Sequence, residues 1–286
     1  MIQVFFSAEH QKQFEEKGYV LFPSLLNKPE IEQLSGVFEK YSNEYAGFFS
    51  TTHFSNSIHH KNAVQEIITK VVFPHAKKYL KDFVPLFGNF MVKNPDPANA
   101  LDMHSDWVYV DEEKFCSVAV WIPLVDVNEE NGCFGIVEET HLLVNKIRGP
   151  LINQSTRTQE NKWAKNFGKL FKMNAGDAIF YNHALLHYSP PNKTNFVRPA
   201  VNLSLAPATA EIIHYCMPEG TSEIEMYSVT DKDFFIHYSN FQKPERGKPI
   251  KKFRPSSIVY IDERMTNFFN GKTLWGRVKN FLSGIY

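Results

Sequence analysis

Between about residues 84 and 206 the chain is a succession of short apolar stretches cut by turn residues, at 86–93, 117–124, 132–137, 178–181 and 200–205. Stretches this short suit strands better than helices. A series of short strands with intervening turns folds into a sandwich or a barrel, because each strand must bury a face against a second layer. The aromatic content favours the same outcome: 25 Phe and 12 Tyr among 286 residues fit half-buried pleated surfaces. Hydrophobic residues at 43% against 22% charged exclude a chain disordered by composition. One domain over residues 1–286 is expected.

The flanks read differently. Ser7 caps a helix running to about Lys17, Gly18 stops it, and a strand at 19–22 ends at Pro23. Asn27 and Pro29 open a second helix whose Ile31, Leu34, Val37, Phe38 and Tyr41 recur at the helical period. A third helix is expected over 62–80. Residues 1–83 thus form a mostly helical flank, 84–206 the β core, and 207–286 an extension. Residues 145–172 are a polar, basic excursion with a lone Trp163; long loops of this kind cover sites. Residues 242–255 read as a linker rich in Lys, Arg and Pro. In the last fifteen residues Leu274, Trp275, Val278, Phe281, Leu282 and Ile285 share one helical face, expected to pack on the domain itself.

The formal net charge is zero, so no global basic excess points to nucleic acid. From Phe241 onward, however, ten Lys/Arg face three Asp/Glu, and this stretch could meet an acidic partner such as a carrier protein. Cys116, Cys133 and Cys216 make no disulfide framework, which suits a reducing cytoplasm. The opening MIQVFFSAEHQKQF is not a signal peptide, and no apolar stretch of about 18 residues predicts a transmembrane segment.

The chemistry concentrates in two places. In Leu101-Asp102-Met103-His104-Ser105-Asp106-Trp107, a strand would aim His104 and Asp106 to one side, since residues two apart share a face. Downstream, the strand after Gly176-Asp177 is followed by His183 and His187. One of these completes a set of two imidazoles and a carboxylate. Such a set holds one face of an iron(II) octahedron and leaves three positions open, two for a chelating 2-oxoacid and one for O2. A third imidazole with one open position would suit zinc hydrolysis better. His-x-Asp alone is a weak signal. Arg198, eleven residues after His187, sharpens it, because a guanidinium fork matches the far carboxylate of 2-oxoglutarate.

Four stretches resemble the phytanoyl-CoA dioxygenase family of iron(II)- and 2-oxoglutarate-dependent oxygenases, in the family's order. They are FEEKGYVLFPSLLNKPEIEQL, MHSDW, VAVWIPLVDVNEENGCFGIVEETH and GDAIFYNHALLHYSPPNKTNFVRPAVNLSL, spanning about Phe14 to Leu205. The resemblance implies a mainly β fold with flanking helices, a double-stranded β-helix or jelly roll of cupin type. It implies His104, Asp106 and His187 as iron ligands and Arg198 as the partner of the cosubstrate's distal carboxylate. His187 is chosen over His183 because it lies eleven residues after Gly176 and opens the family's His-x-Ser-x-x-Asn with Ser189 and Asn192. Ser189, Trp121, and Asn89 or Met91 fall where the family contacts 2-oxoglutarate. Trp107, Tyr109 and His183 are assigned to the substrate side. Glu138-Glu139-Thr140-His141 replaces the family's Pro-Gly-Ser-His, so a reshaped turn is expected. Related halogenases lack the carboxylate that Asp106 supplies, so the implied reaction is hydroxylation or a kindred oxidation of a small molecule, with release of succinate and CO2. The competing readings are an inactive jelly-roll binder and another metal-dependent cupin enzyme.

Overall fold

The structure, a computed structural model, describes residues 2–150, 152, 165–238, 244, 248–254 and 263–272. The expected C-terminal amphipathic helix and Trp163 lie outside the described residues. Three helices come first. In α1 (Ala8–Lys17) the Ser7 side chain accepts from the His10 N–H, and Gly18, at φ 86°, closes the helix with its N–H on the Phe14 carbonyl. Helix α2 (Lys28–Lys40) starts with a capping box between Asn27 and Glu30. Helix α3 (Ile58–Ala76) begins and ends earlier than the expected 62–80. Ser57 supplies the cap that the periodicity did not reveal, and Leu80 leaves the helix to bridge Phe5.

Two sheets face each other. The larger runs in the order β1-β8-β5-β10-β3-β2, with β1 Tyr19–Phe22, β2 Phe49–Thr51, β3 Phe83–Lys93, β5 Val118–Pro123, β8 Ala178–Asn182 and β10 Arg198–Pro207. The smaller runs β4-β9-β6-β7, with β4 Leu101–His104, β6 Phe134–Ile136, β7 Lys169–Phe171 and β9 His187–Ser189. This is the double-stranded β-helix, mainly β with helices on one side. A third sheet of β11 (Ile213–Cys216), β12 (Ile224–Ser228) and β13 (Pro249–Phe253) follows, with two helices, α4 (Phe234–His237) and α5 (Glu263–Lys272).

The large sheet is covered on both faces, which is why its central strands are apolar throughout. Val118, Val120 and Ile122 of β5 pack with Phe180 of β8, Val201 and Leu203 of β10 and Phe90 of β3 against Leu34 of α2 and Val64, Ile68 and Val72 of α3. The alternate residues Ala119, Trp121, Ile179, Tyr181 and Ala200 point inward, against Phe134, Ile136 and Phe171 of the small sheet. Gly88 lets α3 approach: a Cβ there would lie 2.9 Å from Ile68. Truncating Phe180 to alanine in such a doubly covered layer costs about 3–5 kcal/mol.

Two segments depart from the sequence reading. The excursion at 145–172 ends in β7, which pairs with β6. The expected linker at 242–255 contains β13, held as an edge strand by β12, with Lys252 bridging Glu223 and Glu225, each at 3.1 Å. Lysines on a solvent-facing edge look like linker composition, yet they also guard an edge against a further strand. Cys116, Cys133 and Cys216 form no disulfide with one another. Among the described residues no helix is long and apolar enough to cross a membrane.

Candidate active site

The site lies between the two sheets. Strands β4 and β9 pair antiparallel with His104 opposite His187, and their ring centroids are 4.3 Å apart. Asp106 does not sit on the strand as the two-residue spacing suggested. The chain leaves β4 at His104, and Asp106 is placed by its own backbone contacts. Its N–H donates to the His183 carbonyl at 2.9 Å, and its carbonyl accepts from Arg148 Nε at 2.9 Å. The ligand atoms of His104, Asp106 and His187 all lie within 4.8 Å of one another. Asp106 Oδ1 is 3.7 Å from His187 Nε2, and Oδ2 accepts from the Tyr181 hydroxyl at 2.8 Å.

The protonation pattern suits a metal. His104 Nδ1 donates to the Asp102 carbonyl at 2.7 Å, and His187 Nδ1 donates to the Leu185 carbonyl at 3.0 Å. A proton held on Nδ1 leaves the Nε2 lone pair of each ring to coordinate. Burial opposes the charge on Asp106, but the imidazoles of His187, His183 and His104 and the Tyr181 hydroxyl outweigh it and hold the carboxyl below its usual range. Phe134 stacks on the His187 ring at 5.3 Å and fixes its plane. Two imidazoles and one ionised carboxylate, without thiolate, fit iron(II).

A cleft beside the triad is lined by Met91, Trp121, Cys133, Phe134, His187, Ser189 and Arg198, among others. Arg198 is buried there, its guanidinium 5.6 Å over the Trp121 ring. Among the described residues its one hydrogen bond is a 3.3 Å contact from a terminal nitrogen to the Met91 carbonyl, and Nε has none. Burial lowers its pKa to about 10. A buried guanidinium with free donors and no carboxylate at hand fits the distal end of a dicarboxylate. Ser189 lies alongside, its hydroxyl donating to the Gly132 carbonyl at 2.9 Å. Gly132 is required there: at φ 80° a Cβ would come within 2.6 Å of Lys93 Cδ.

Three assignments change. Met91 lines the Arg198 cleft and Asn89 does not; Asn89 stands one same-face step further along β3, at a second cleft. His183, expected on the substrate side, is fully buried, with Nδ1 on Ser117 Oγ at 2.9 Å and Nε2 on Ser204 Oγ at 3.2 Å, so both ring nitrogens are engaged. Tyr109 packs its ring between Phe87 and Phe235 and against His183, as core. Trp107 is half-buried beside His53 and His214.

Two residues of the site, Lys93 and Tyr181, escaped the sequence reading, and a third, Arg148, was read only as part of the excursion expected to cover the site. Lys93 is directly opposite Arg198 in register, and its ammonium donates to the Ser189 carbonyl at 3.0 Å and to the Pro190 carbonyl. Burial, with Arg198 nearby, brings its pKa down to about 7. Its alternation with Asn89 and Met91 on β3 was the available signal. Tyr181 shares the inner face of β8 with Ile179, so strand alternation could have found it. Arg148 makes a two-pronged pair with Glu112, and only the tertiary structure brings these together. The altered turn places Glu139 at φ 71°, in the region where glycine is free of strain. Thr140 Oγ1 donates to the Val137 carbonyl at 2.7 Å and accepts from the Leu186 N–H at 3.0 Å, which anchors the approach to β9.

The comparisons agree with this geometry. The model of the family described as Phytanoyl-CoA dioxygenase (PhyH) matches residues 14–200. Peroxisomal phytanoyl-CoA dioxygenase of Homo sapiens is 23% identical over 255 residues, covering 75% of this chain and 72% of that protein. The Bos taurus protein is 21% identical over 253 residues, 76% of this chain and 72% of its own. Among solved structures, the non-heme alpha ketoglutarate dependent carbocyclase SnoK from nogalamycin biosynthesis superposes with a TM-score of 0.54 at 18% identity, over 85% of this chain and 94% of that one. HygX from Streptomyces hygroscopicus, with nickel and 2-oxoglutarate bound, gives 0.53 at 14% identity, over 89% of this chain and 100% of its own. On the matched span and the convergent triad, the chain belongs to the phytanoyl-CoA dioxygenase family of non-haem iron- and 2-oxoglutarate-dependent oxygenases.

Proposed function

We propose that the protein hydroxylates an unactivated C–H bond of a small organic molecule, consuming 2-oxoglutarate and O2 and releasing succinate and CO2. The observation that carries the reading is the convergence of His104, Asp106 and His187 within 4.8 Å, beside a cleft that ends on Arg198. Bound iron(II) would supply O2 activation coupled to decarboxylation of the 2-oxoacid. The protein's part is positional. His104 and His187 offer Nε2, and Asp106 offers Oδ1 while Tyr181 keeps Oδ2 occupied. Arg198 holds the distal carboxylate of 2-oxoglutarate, with Trp121 under the guanidinium and Ser189 at its side. Phe134, Trp121 and Met91 keep the cleft dry, which strengthens every charge contact within it. Asp106 occupies the coordination position a halide would need, which favours hydroxylation over halogenation. We place the enzyme in the reducing cytoplasm, where its three cysteines stay free. Its substrate is free or presented by an acidic carrier protein, and salt-sensitive binding to such a carrier separates the two.

The test is Asp106→Ala. Wild-type protein with iron(II) and 2-oxoglutarate, without O2, should show a weak visible charge-transfer band, and turnover should release succinate only with O2. The variant should lose both. Undiminished succinate release from the variant in the presence of substrate refutes the ligand assignment. Turnover without O2 points to another metal-dependent cupin enzyme, and absence of the band in the wild type points to a binding protein.

A further inference from the structure

A second buried polar cluster lies next to the iron site, around Trp107, the residue that follows Asp106. The His53 ring is 5.3 Å from Trp107 and 5.9 Å from Tyr238, and the His214 ring is 5.6 Å and 4.6 Å from the same two. His53 is 8% exposed and His214 0%. Among the described residues, His53 Nε2 and both ring nitrogens of His214 have no hydrogen-bond partner. Burial keeps both imidazoles neutral near pH 7, so each carries one donor and one acceptor nitrogen. Beside them Lys61, 6% exposed, makes one long hydrogen bond, 3.4 Å from Nζ to the Tyr238 carbonyl. Among the described residues no carboxylate pairs with it.

Unmet buried groups are costly, a buried charge most of all, so a cluster of them calls for a ligand that completes it. A narrow cleft opens between these side chains, lined by Thr52, His53, Lys61, Gln65, Phe87 and Asn89. Gln65 accepts from the Gly88 N–H through its amide oxygen, so its amide N–H joins those of His53, Lys61 and Asn89 as available donors. The cleft adjoins the reaction centre. Asn89 faces the barrel interior one same-face step, about 7 Å, from Met91 of the Arg198 cleft. Across the sheet Asn89 pairs with Asn202, which stands opposite Trp121 on its other side.

We propose that this cleft binds a carboxylate of the organic substrate, with the Lys61 ammonium as counter-ion and His53 and Asn89 as further donors. The carbon chain then runs past Trp107 toward His104, Asp106 and His187. Lys93, opposite Arg198, lies four residues beyond Asn89 on β3, about 13 Å, so the two anions do not compete for one cation. The substrate is thereby a carboxylic acid oxidised within a few bonds of its acid group. The proposal rests on the oxygenase reading.

The probe is a panel of straight-chain carboxylic acids, acetate to octanoate, and their methyl esters. Each is added to the protein loaded with iron(II) and 2-oxoglutarate, and melting temperature and succinate release are read. At least one acid should raise both, and its ester should raise neither. Lys61→Met should weaken acid binding about tenfold or more and keep the charge-transfer band, since the lost contact is a charge-assisted one. Asn89→Asp, which gives Lys61 a built-in counter-ion, should abolish acid binding and also keep the band. Equal effects of acids and esters, no binding by any acid, or unchanged acid binding in Lys61→Met each overturn the proposal. A wild type that forms no band sinks the oxygenase reading instead, and acid binding to the metal-free protein then judges the cleft separately.

Discussion

Arg148 links the excursion after β6 to Asp106, a proposed metal ligand, and replacing it by methionine should separate two effects. Its side chain is 1% exposed. Terminal nitrogens meet the Glu112 carboxylate at 2.8 and 2.7 Å, and one also donates to the Asn145 carbonyl at 2.7 Å, while Nε holds the Asp106 carbonyl. Glu112 is 11% exposed. Removing one partner of a buried pair costs about 3–5 kcal/mol, because the other charge is left in a poor solvent. Glu112 can reach some water, so the lower end, about 3 kcal/mol, is expected. For a domain of this size that is a fall of about 5 °C in melting temperature, with the fold retained. Loss of the Nε contact loosens Asp106, and losing an outer partner of a metal ligand weakens binding about 10–100-fold. Calorimetry reads the first effect and anaerobic iron(II) titration the second. In Arg148→Met with Glu112→Leu, stability should largely return, since apolar replacement of a buried pair is near neutral. Iron affinity should not return. A single variant that melts within a degree or two of wild type refutes the buried-pair argument, and a double variant that regains iron affinity refutes the role assigned to Nε.

Arg198→Met should raise the 2-oxoglutarate dissociation constant thirtyfold or more, about 2–4 kcal/mol, and leave iron binding in place; equilibrium titration of the band reads both. Burial holds His53 and His214 near pKa 3 and His183 near 4. Unfolding therefore takes up protons below about pH 6.5, and stability is full above that value and lost as pH falls toward the folded pKa values. By pH 5 each such histidine costs about 2 kcal/mol, and His214→Phe should flatten that limb of the melting-temperature profile. An unchanged slope refutes the neutral assignment. Glu139→Gly should raise stability by about 0.5–1 kcal/mol, since φ 71° strains any residue with a Cβ; a lower melting temperature would show that the turn is held some other way.

Much of the architecture was legible because its signals are local. The strands at 117–124 and 200–205 alternate or run apolar according to what covers each face, and the caps at Ser7 and Asn27 act within one helical turn. The convergence of the candidate ligands was legible because His104, Asp106 and His187 sit in short motifs whose spacing survives folding. The substrate side was not. His183, Tyr109 and Asn89 are the residue types a site uses, and what each does depends on distant neighbours: serines at 117 and 204, Phe87 and Phe235, and a cleft shared with Lys61. The third sheet was hidden for a related reason, since the short, lysine-bearing β13 becomes a strand only when β12 lies beside it.

The amino-acid sequence by itself determined which groups could do the chemistry, two imidazoles, a carboxylate and a guanidinium, and the alternation that turns strands edge to edge around them. Tertiary structure alone decided which ring nitrogen of His104 and of His187 carries the proton, that Asp106 is positioned by Arg148 and the His183 carbonyl, and that Lys93 of β3 and Lys61 of α3 are buried cations. The division follows from range. Side-chain chemistry and strand period are properties of adjacent residues, whereas protonation, burial and hydrogen-bond partners are set by atoms tens of residues away that meet only once the sheets close.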